Sequence, residues 1–234
     1  MRTAAIPVRP WIFVLALTAL CAACSTPQVK PARSTSDVGN SGFLGDYGRL
    51  HADPEDPAFR WYVSSPGIVR NYHKFIIDAP EVLVSTGAGY QALDPARVTD
   101  MTRHYLASMA AGLGQHYQVV TQPGPGVARL RTAVVGVVRV NPELRLRDAI
   151  PVTALFKVAQ AASGKNPQFL RMSVEAELID AQSGKVLGAM VDSREGSRSV
   201  PRDESTSTGQ LDELIDFWVA RFVGRLDKAN GFTQ

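Results

Sequence analysis

Apolar residues along this chain recur with two periods. Between residues 95 and 114, Val98, Met101, Tyr105, Met109 and Leu113 follow one another every three to four positions. That spacing places them on one face of an α-helix. Asp94-Pro95 stands in front of them, an N-cap acceptor followed by a proline suited to the first turn. A second run, Leu211, Leu214, Ile215, Trp218, Phe222 and Leu226, predicts a closing helix that ends near Gly231. Phe217 and Val223 widen its apolar face beyond a single stripe, which predicts cover on more than one side, by the stretch at residues 41–50 or by another subunit.

The other period is two. Met172, Val174, Ala176 and Leu178 alternate with Ser173, Glu175 and Glu177, the pattern of a strand with one buried and one wet face. The turn Asp180–Lys185, with Gly184 free to take positive φ, leads to a partner over Val186–Val191 and predicts an antiparallel hairpin. Ala128–Val140 turns apolar on both faces from Ala133 onward and reads as a central strand. Tyr117–Thr121 reads as a short strand. Ile68–Ser85, broken by Pro80, reads as two strands or a bent edge. Val152–Ala161 reads as a short helix and residues 195–208 as a polar loop. Strands, a helix, more strands and a last helix make a two-layer α+β sandwich: a mostly antiparallel sheet with two main helices packed on it.

The amino terminus departs from both periods. MRTAAIPVRP carries two arginines, WIFVLALTAL has Thr18 as its one polar residue, and CAACS follows. This is the layout of a secretory leader. From Trp11 to Cys24 the run is 14 residues, short of the roughly 20 that cross a bilayer as a helix. Leu20-Cys21-Ala22-Ala23 before Cys24 resembles a bacterial lipobox, with its leucine one place further back than usual. The resemblance implies cleavage after residue 23, lipidation of Cys24, and, with Ser25 following, export to the outer membrane of a Gram-negative cell. There the domain is expected to face the periplasm, held on the membrane by its N-terminal lipid. Ordinary cleavage near Ala23 is the alternative. Residues 24–40, rich in Ser, Thr and Pro, read as a flexible tether, and residues 41–234 as one domain.

Charge and cysteines narrow the chemistry. The chain is 45% hydrophobic and carries a formal net charge of +3. Without Arg2 and Arg9 it holds 23 basic against 22 acidic residues, a net of +1. Such a balance is no footprint for nucleic acid. Cys21 and Cys24 are the two cysteines, so a domain starting after them has neither a disulfide nor a thiolate zinc site.

Between tether and domain lies SGFLGDYGRL, residues 41–50, with Gly42, Gly45 and Gly48 at every third position. Each glycine would cost a helix about 1 kcal/mol relative to alanine. The stretch therefore reads as an irregular hook pinned to the domain. Its apolar groups Phe43, Leu44, Tyr47 and Leu50 are also the candidate docking or partner patch. This opening, the segment RWYVSSPGIVRNYHKFIID, the strand ARLRTAVVGV and the late VEAELIDAQSGKVLGAMVD together resemble the bacterial lipoproteins of the domain of unknown function 3313 family. The resemblance covers residues 41–229 and implies an address and a fold, with no established activity to carry over.

Sharper chemistries fit less well. Gly87, Gly89 and Ala92 form a G-x-G-x-x-A after a strand, but the better helix start, Asp94-Pro95, comes too late to hold a pyrophosphate. His51, His73, His104 and His116 have no tight metal spacing. Glu175 and Glu177 could pass for a carboxylate pair, but a solvated sheet face accounts for them. No G-x-S-x-G occurs. No catalytic, cofactor-binding or metal residue is assigned. The expectation is a non-catalytic envelope lipoprotein that binds another envelope protein or itself. A small-ligand module and, less favoured, a hydrolase are the alternatives.

Overall fold

The computed structural model describes residues 29–31, 40–83, 93–140, 168–200 and 208–232. The short helix expected over Val152–Ala161, the G-x-G-x-x-A stretch and Cys24 lie outside them. The described residues form a mixed sheet covered on one face by two helices, an α+β sandwich. In chain order the strands are β1 Lys30–Pro31, β2 His51–Ala52, β3 Phe59–Val63, β4 Lys74–Ile77, β5 Glu81–Val82, β6 Gln118–Val119, β7 Val127–Val140, β8 Gln168–Asp180 and β9 Val186–Val200. The helices are α1 Pro95–Leu113 and α2 Thr208–Asn230.

The sheet runs β2-β3-β9-β8-β7-β4-β6, with β5 on β7 and β1 on β9. The long antiparallel ladders β7–β8 and β8–β9 form its centre. β4 and β5 join β7 in parallel, and β6 joins β4 in parallel. Pro80 lies between β4 and β5, so the break expected there separates two strands.

Three differences from the sequence pattern matter. β9 continues to Val200 through residues read as loop, because Gln168–Arg171 offers it a ladder. Phe59–Val63 is a strand in its own right, paired from Asp192 to Gly188 of β9. Lys30 and Pro31, within the stretch read as a free tether, pair with Glu195 and Arg194 on the β9 edge just beyond β3. That edge carries unpaired backbone groups which an extended segment satisfies.

The helices follow their periodicity closely. The Asp94 side chain accepts from the Ala96 N–H at 2.8 Å and starts α1. Met101, Tyr105, Met109 and Leu113 are buried, as are Leu211, Leu214, Ile215, Trp218 and Leu226 of α2. α2 also meets α1, where a Cβ on Gly112 would come within 3.1 Å of Val223. Gly231, at φ 78°, ends α2. The wide face of α2 is thus covered by α1 on one flank. On the other, the Arg194 guanidinium lies 4.9 Å from the centre of the Phe217 ring. The hook takes no part in this, since it lies on the opposite face of the sheet.

A bulge in β7 explains its doubled apolar character. The register shifts between Val134 and Gly136, so Val134 and Val137 both face the helices. Ala133 and Val135 are buried on the other face, with Phe43 of the hook packed on them.

Candidate functional site

Two sites emerge, one on each face of the sheet. On the face away from the helices, Glu175 is fully buried at 0% exposure and Glu177 retains 8%. This corrects the expectation of a solvated face: the hook covers it. Ser41 donates to Glu175 twice, from its backbone N–H at 3.1 Å and from its hydroxyl at 2.9 Å. The Tyr47 hydroxyl donates to the same carboxylate at 2.5 Å. That hydroxyl also accepts from the Gly42 N–H at 2.9 Å and the Leu44 N–H at 3.3 Å, which uses its full hydrogen-bonding capacity. Glu177 is held by Arg131 at 3.2 Å, and the same guanidinium lies 4.9 Å from the centre of the Phe43 ring. The positive φ of Gly42, 87°, gives the hook its bend. Of the four candidate patch residues, Leu44 is buried, while Phe43, Tyr47 and Leu50 are half-buried. Two carboxylates that resembled an acid–base pair are thus structural anchors for the hook.

Between sheet and helices lies a cavity of about 760 Å³. Leu130 and Val134 of β7, Met172, Val174, Ala176 and Leu178 of β8, Met190 of β9, and Phe59 and Trp61 of β3 line its sheet side. Met101, Tyr105, Met109, Ile215, Trp218, Val219 and Phe222 line the helix side. The deeper polar groups are Thr132 and Tyr105, whose hydroxyls bond one another at 3.0 Å. Burial pushes the Tyr105 phenol up to about 12, so it stays a neutral hydroxyl there. Arg221, Arg225 and Lys228 stand at the rim, and among the described residues no acidic side chain belongs to the lining.

Beside the cavity, β9 turns two charged side chains toward the helices. Asp192 (0% exposed) accepts from Trp218 Nε1 at 2.9 Å and from Arg194 Nε at 3.0 Å. Arg194 reaches on to Asp56 at 2.5 Å, which also meets Arg221 at 3.4 Å. Burial pushes the Asp192 carboxyl above its ordinary range, opposed by Arg194, Trp218 and Arg221. No local pattern marks this pair, since its cover comes from α2 and from residue 56.

The histidines are separate. His104 Nε2 lies 2.7 Å from Asp216 and 3.4 Å from the Ser108 hydroxyl. A hydrolytic triad needs the acid on one ring nitrogen and the serine on the other. Here one nitrogen faces both, so these three residues do not form that arrangement. His116 meets Asp227 at 3.3 Å and stacks on Phe232. Among the described residues no group of three or more His, Cys, Asp or Glu could hold a metal ion.

Residues 39–222 match the family model described as "Protein of unknown function (DUF3313)". The chain belongs to the DUF3313 family. The hook, the β7 strand and the β8–β9 hairpin, which carried the resemblance in the sequence, all fall inside the matched span. Over 186 residues this DUF3313 chain is 27% identical to the "Uncharacterized lipoprotein YdcL" of Escherichia coli K12, covering 75% of this chain and 80% of that protein. Solved structures are more distantly similar. A PelC dodecamer from Paraburkholderia phytofirmans matches 72% of this chain and 95% of its own, at 16% identity and a TM-score of 0.38. A putative neuraminyllactose-binding hemagglutinin homolog from Helicobacter pylori matches 70% and 87%, at 10% identity and a TM-score of 0.41. These scores carry no argument about function.

Proposed function

We propose that this DUF3313 chain is a lipoprotein anchored through Cys24 in the outer membrane of a Gram-negative cell, its domain facing the periplasm, and that the domain binds a small apolar ligand without catalysis. The lipobox-like leader and the similarity to a named lipoprotein support the anchor. The observation that carries the binding function is the cavity of about 760 Å³ between sheet and helices. Its volume falls within the roughly 300 to 1,000 Å³ of small-molecule sites, and its walls are mostly apolar with a few placed polar groups. The hook, by contrast, is spent on its own sheet: Leu44 is buried and the Tyr47 hydroxyl is engaged. Among the described residues the exposed large apolar side chains are Val63, Val119 and Phe232, a poor basis for a protein-docking patch.

Metabolic labelling with an alkyne palmitate, followed by membrane fractionation, tests the anchor. The protein should take up label and sediment with outer membranes, and Cys24→Ala should lose both. Label retained by Cys24→Ala refutes the assignment. Binding is tested by titrating the full-length protein with a neutral apolar fluorophore. Saturable enhancement that Ala176→Phe abolishes, with folding intact, supports the cavity. Enhancement unchanged by that filling substitution refutes it.

A further inference from the structure

The lining and rim of the cavity specify its ligand more closely. The chain has five methionines, and the four beyond Met1 (Met101, Met109, Met172 and Met190) all line the cavity. Methionine is unbranched, polarizable and able to repack, so such walls suit a flexible chain better than a rigid ring system. At the mouth, Arg221, Arg225 and Lys228 follow at i, i+4 and i+7 on one face of α2. The two guanidinium groups crowd one ring: Arg221 lies 4.1 Å and Arg225 4.4 Å from the centre of Phe59. Arg221 shares Asp56 with Arg194. Arg225 and Lys228 have no ion-pair partner among the described residues. Desolvation, and next the neighbouring Arg221, hold the Arg225 guanidinium below its ordinary range, against the weaker pull of Asp53, Asp192 and Asp56. A mouth with three cations, one of them sharing Asp56, and no acid among the described lining residues is matched by an anion, which guanidinium groups bind through paired hydrogen bonds.

We propose that the cavity takes an anionic single-chain amphiphile, its acyl chain among the methionines and its carboxylate or phosphate head between Arg221, Arg225 and Lys228. This rests on the ligand-binding function proposed above. A free fatty acid and an anionic lysophospholipid share the required chemistry.

The test uses the full-length protein in outer-membrane fragments excised with styrene–maleic acid copolymer, so that no detergent competes. Four photoactivatable probes of equal chain length are compared: palmitate, lysophosphatidylglycerol, hexadecanol and hexadecyltrimethylammonium. Crosslinked peptides are mapped by mass spectrometry. Palmitate or lysophosphatidylglycerol should label saturably the peptides carrying Met101, Met109, Met172 and Met190, and the stronger of the two identifies the source. Arg221→Gln with Arg225→Gln should raise the half-saturating concentration about tenfold or more, as losing a charge-assisted hydrogen bond implies. Lys228→Glu alters an exposed side chain and should act in the same direction, so the test stands even where the double variant fails to fold. If hexadecanol labels those peptides as well as palmitate does, or the ammonium probe does, the anionic class is refuted while ligand binding in the cavity stands. If no probe labels them, both are refuted.

Discussion

Replacing Tyr47 by phenylalanine removes one oxygen atom and leaves the ring in place. In the fold that oxygen sits 2.5 Å from a carboxylate that water does not reach. A hydrogen bond to a charged group contributes about 1.5–3 kcal/mol, and Ser41 remains to hold Glu175. The Gly42 N–H lies in an exposed stretch where water can replace the lost acceptor; the Leu44 N–H is less accessible. The expected loss is therefore about 2–3 kcal/mol, or roughly 4–12 °C in Tm for a domain of this size. Urea unfolding followed by tryptophan fluorescence measures it, with linear extrapolation to water. Two comparisons isolate the cause. Asp46→Ala removes the cap of the short 3-10 turn Tyr47–Arg49 without touching Glu175 and should cost less, about 1 kcal/mol. In a double-mutant cycle with Glu175→Gln, the two substitutions should couple by about 1 kcal/mol or more. A Tyr47→Phe protein within about 0.5 kcal/mol of wild type would show that the hook does not seal Glu175 and would return these residues to the docking patch.

Three further outcomes follow from buried charge and shifted titration. Arg194→Met should destabilise the fold by about 3–5 kcal/mol in the same urea assay, because it strands the Asp192 carboxylate without its cation; a loss below about 1 kcal/mol would refute the pairing. Asp180 is held down to about 2 by the Ser183 N–H and hydroxyl and by Tyr72. A depressed carboxyl stabilises above its unfolded value of about 4, and that stability goes as pH falls from about 4 through 2. NMR titration should place its midpoint near 2, and Asp180→Asn should flatten the acid limb of the stability curve. Tyr72, Tyr105 and Tyr117 are pushed up to about 12, mainly by burial. Their phenols ionise later in the fold than the unfolded value of about 10, so stability should fall as pH rises from 10 toward 12. Phenolate absorbance, assigned by single Tyr→Phe variants, should show all three in that window; a midpoint near 10 for any of them would refute its burial.

What the sequence showed and what it hid divide along a physical line. α1, α2, the β7 strand and the turn at Gly184 depend on local spacing, caps and turn residues, and each lies where its pattern placed it. The burial of Glu175 depends on Ser41 and Tyr47, which lie 134 and 128 positions away in the chain. Nothing in the alternation of β8 distinguishes a wet face from one covered by a distant hook. Asp192 and Arg194 were hidden for the same reason, since Trp218 and Asp56 supply their cover. The end of β9 was missed because its residues are polar, and its ladder is a property of β8. The cavity leaves no local signature either. An apolar stripe looks the same whether it packs tightly on a sheet or stands off from it. The one trace is the clustering of methionine: residues 101, 109, 172 and 190 are far apart in sequence and share one space.

The two faces of the sheet divide the work, and β1 connects that division to the membrane. Taken as a free coil, residues 24–40 would let the domain drift. With Lys30 and Pro31 seated against Glu195 and Arg194, only six steps separate Cys24 from the sheet. Fully extended, these span at most about 20 Å. On the proposed anchor, the far end of β9 is therefore confined close to the lipid surface. The hook then continues the attachment: residues 41–50 run over the sheet face opposite the helices and lock onto Glu175. The cavity lies on the other face, with its cationic rim on α2 at Arg221, Arg225 and Lys228. Attachment thus occupies one edge and one face of the sheet, and on the proposed function the helix face is left to the ligand. Glu175 and Val174 are neighbours on β8, one bound by the hook and the other lining the cavity, so the hook is fastened to a strand of the cavity floor. Three hydrogen bonds to one buried carboxylate exceed what a leash requires, and on the proposed function they hold the floor of the cavity from its far side.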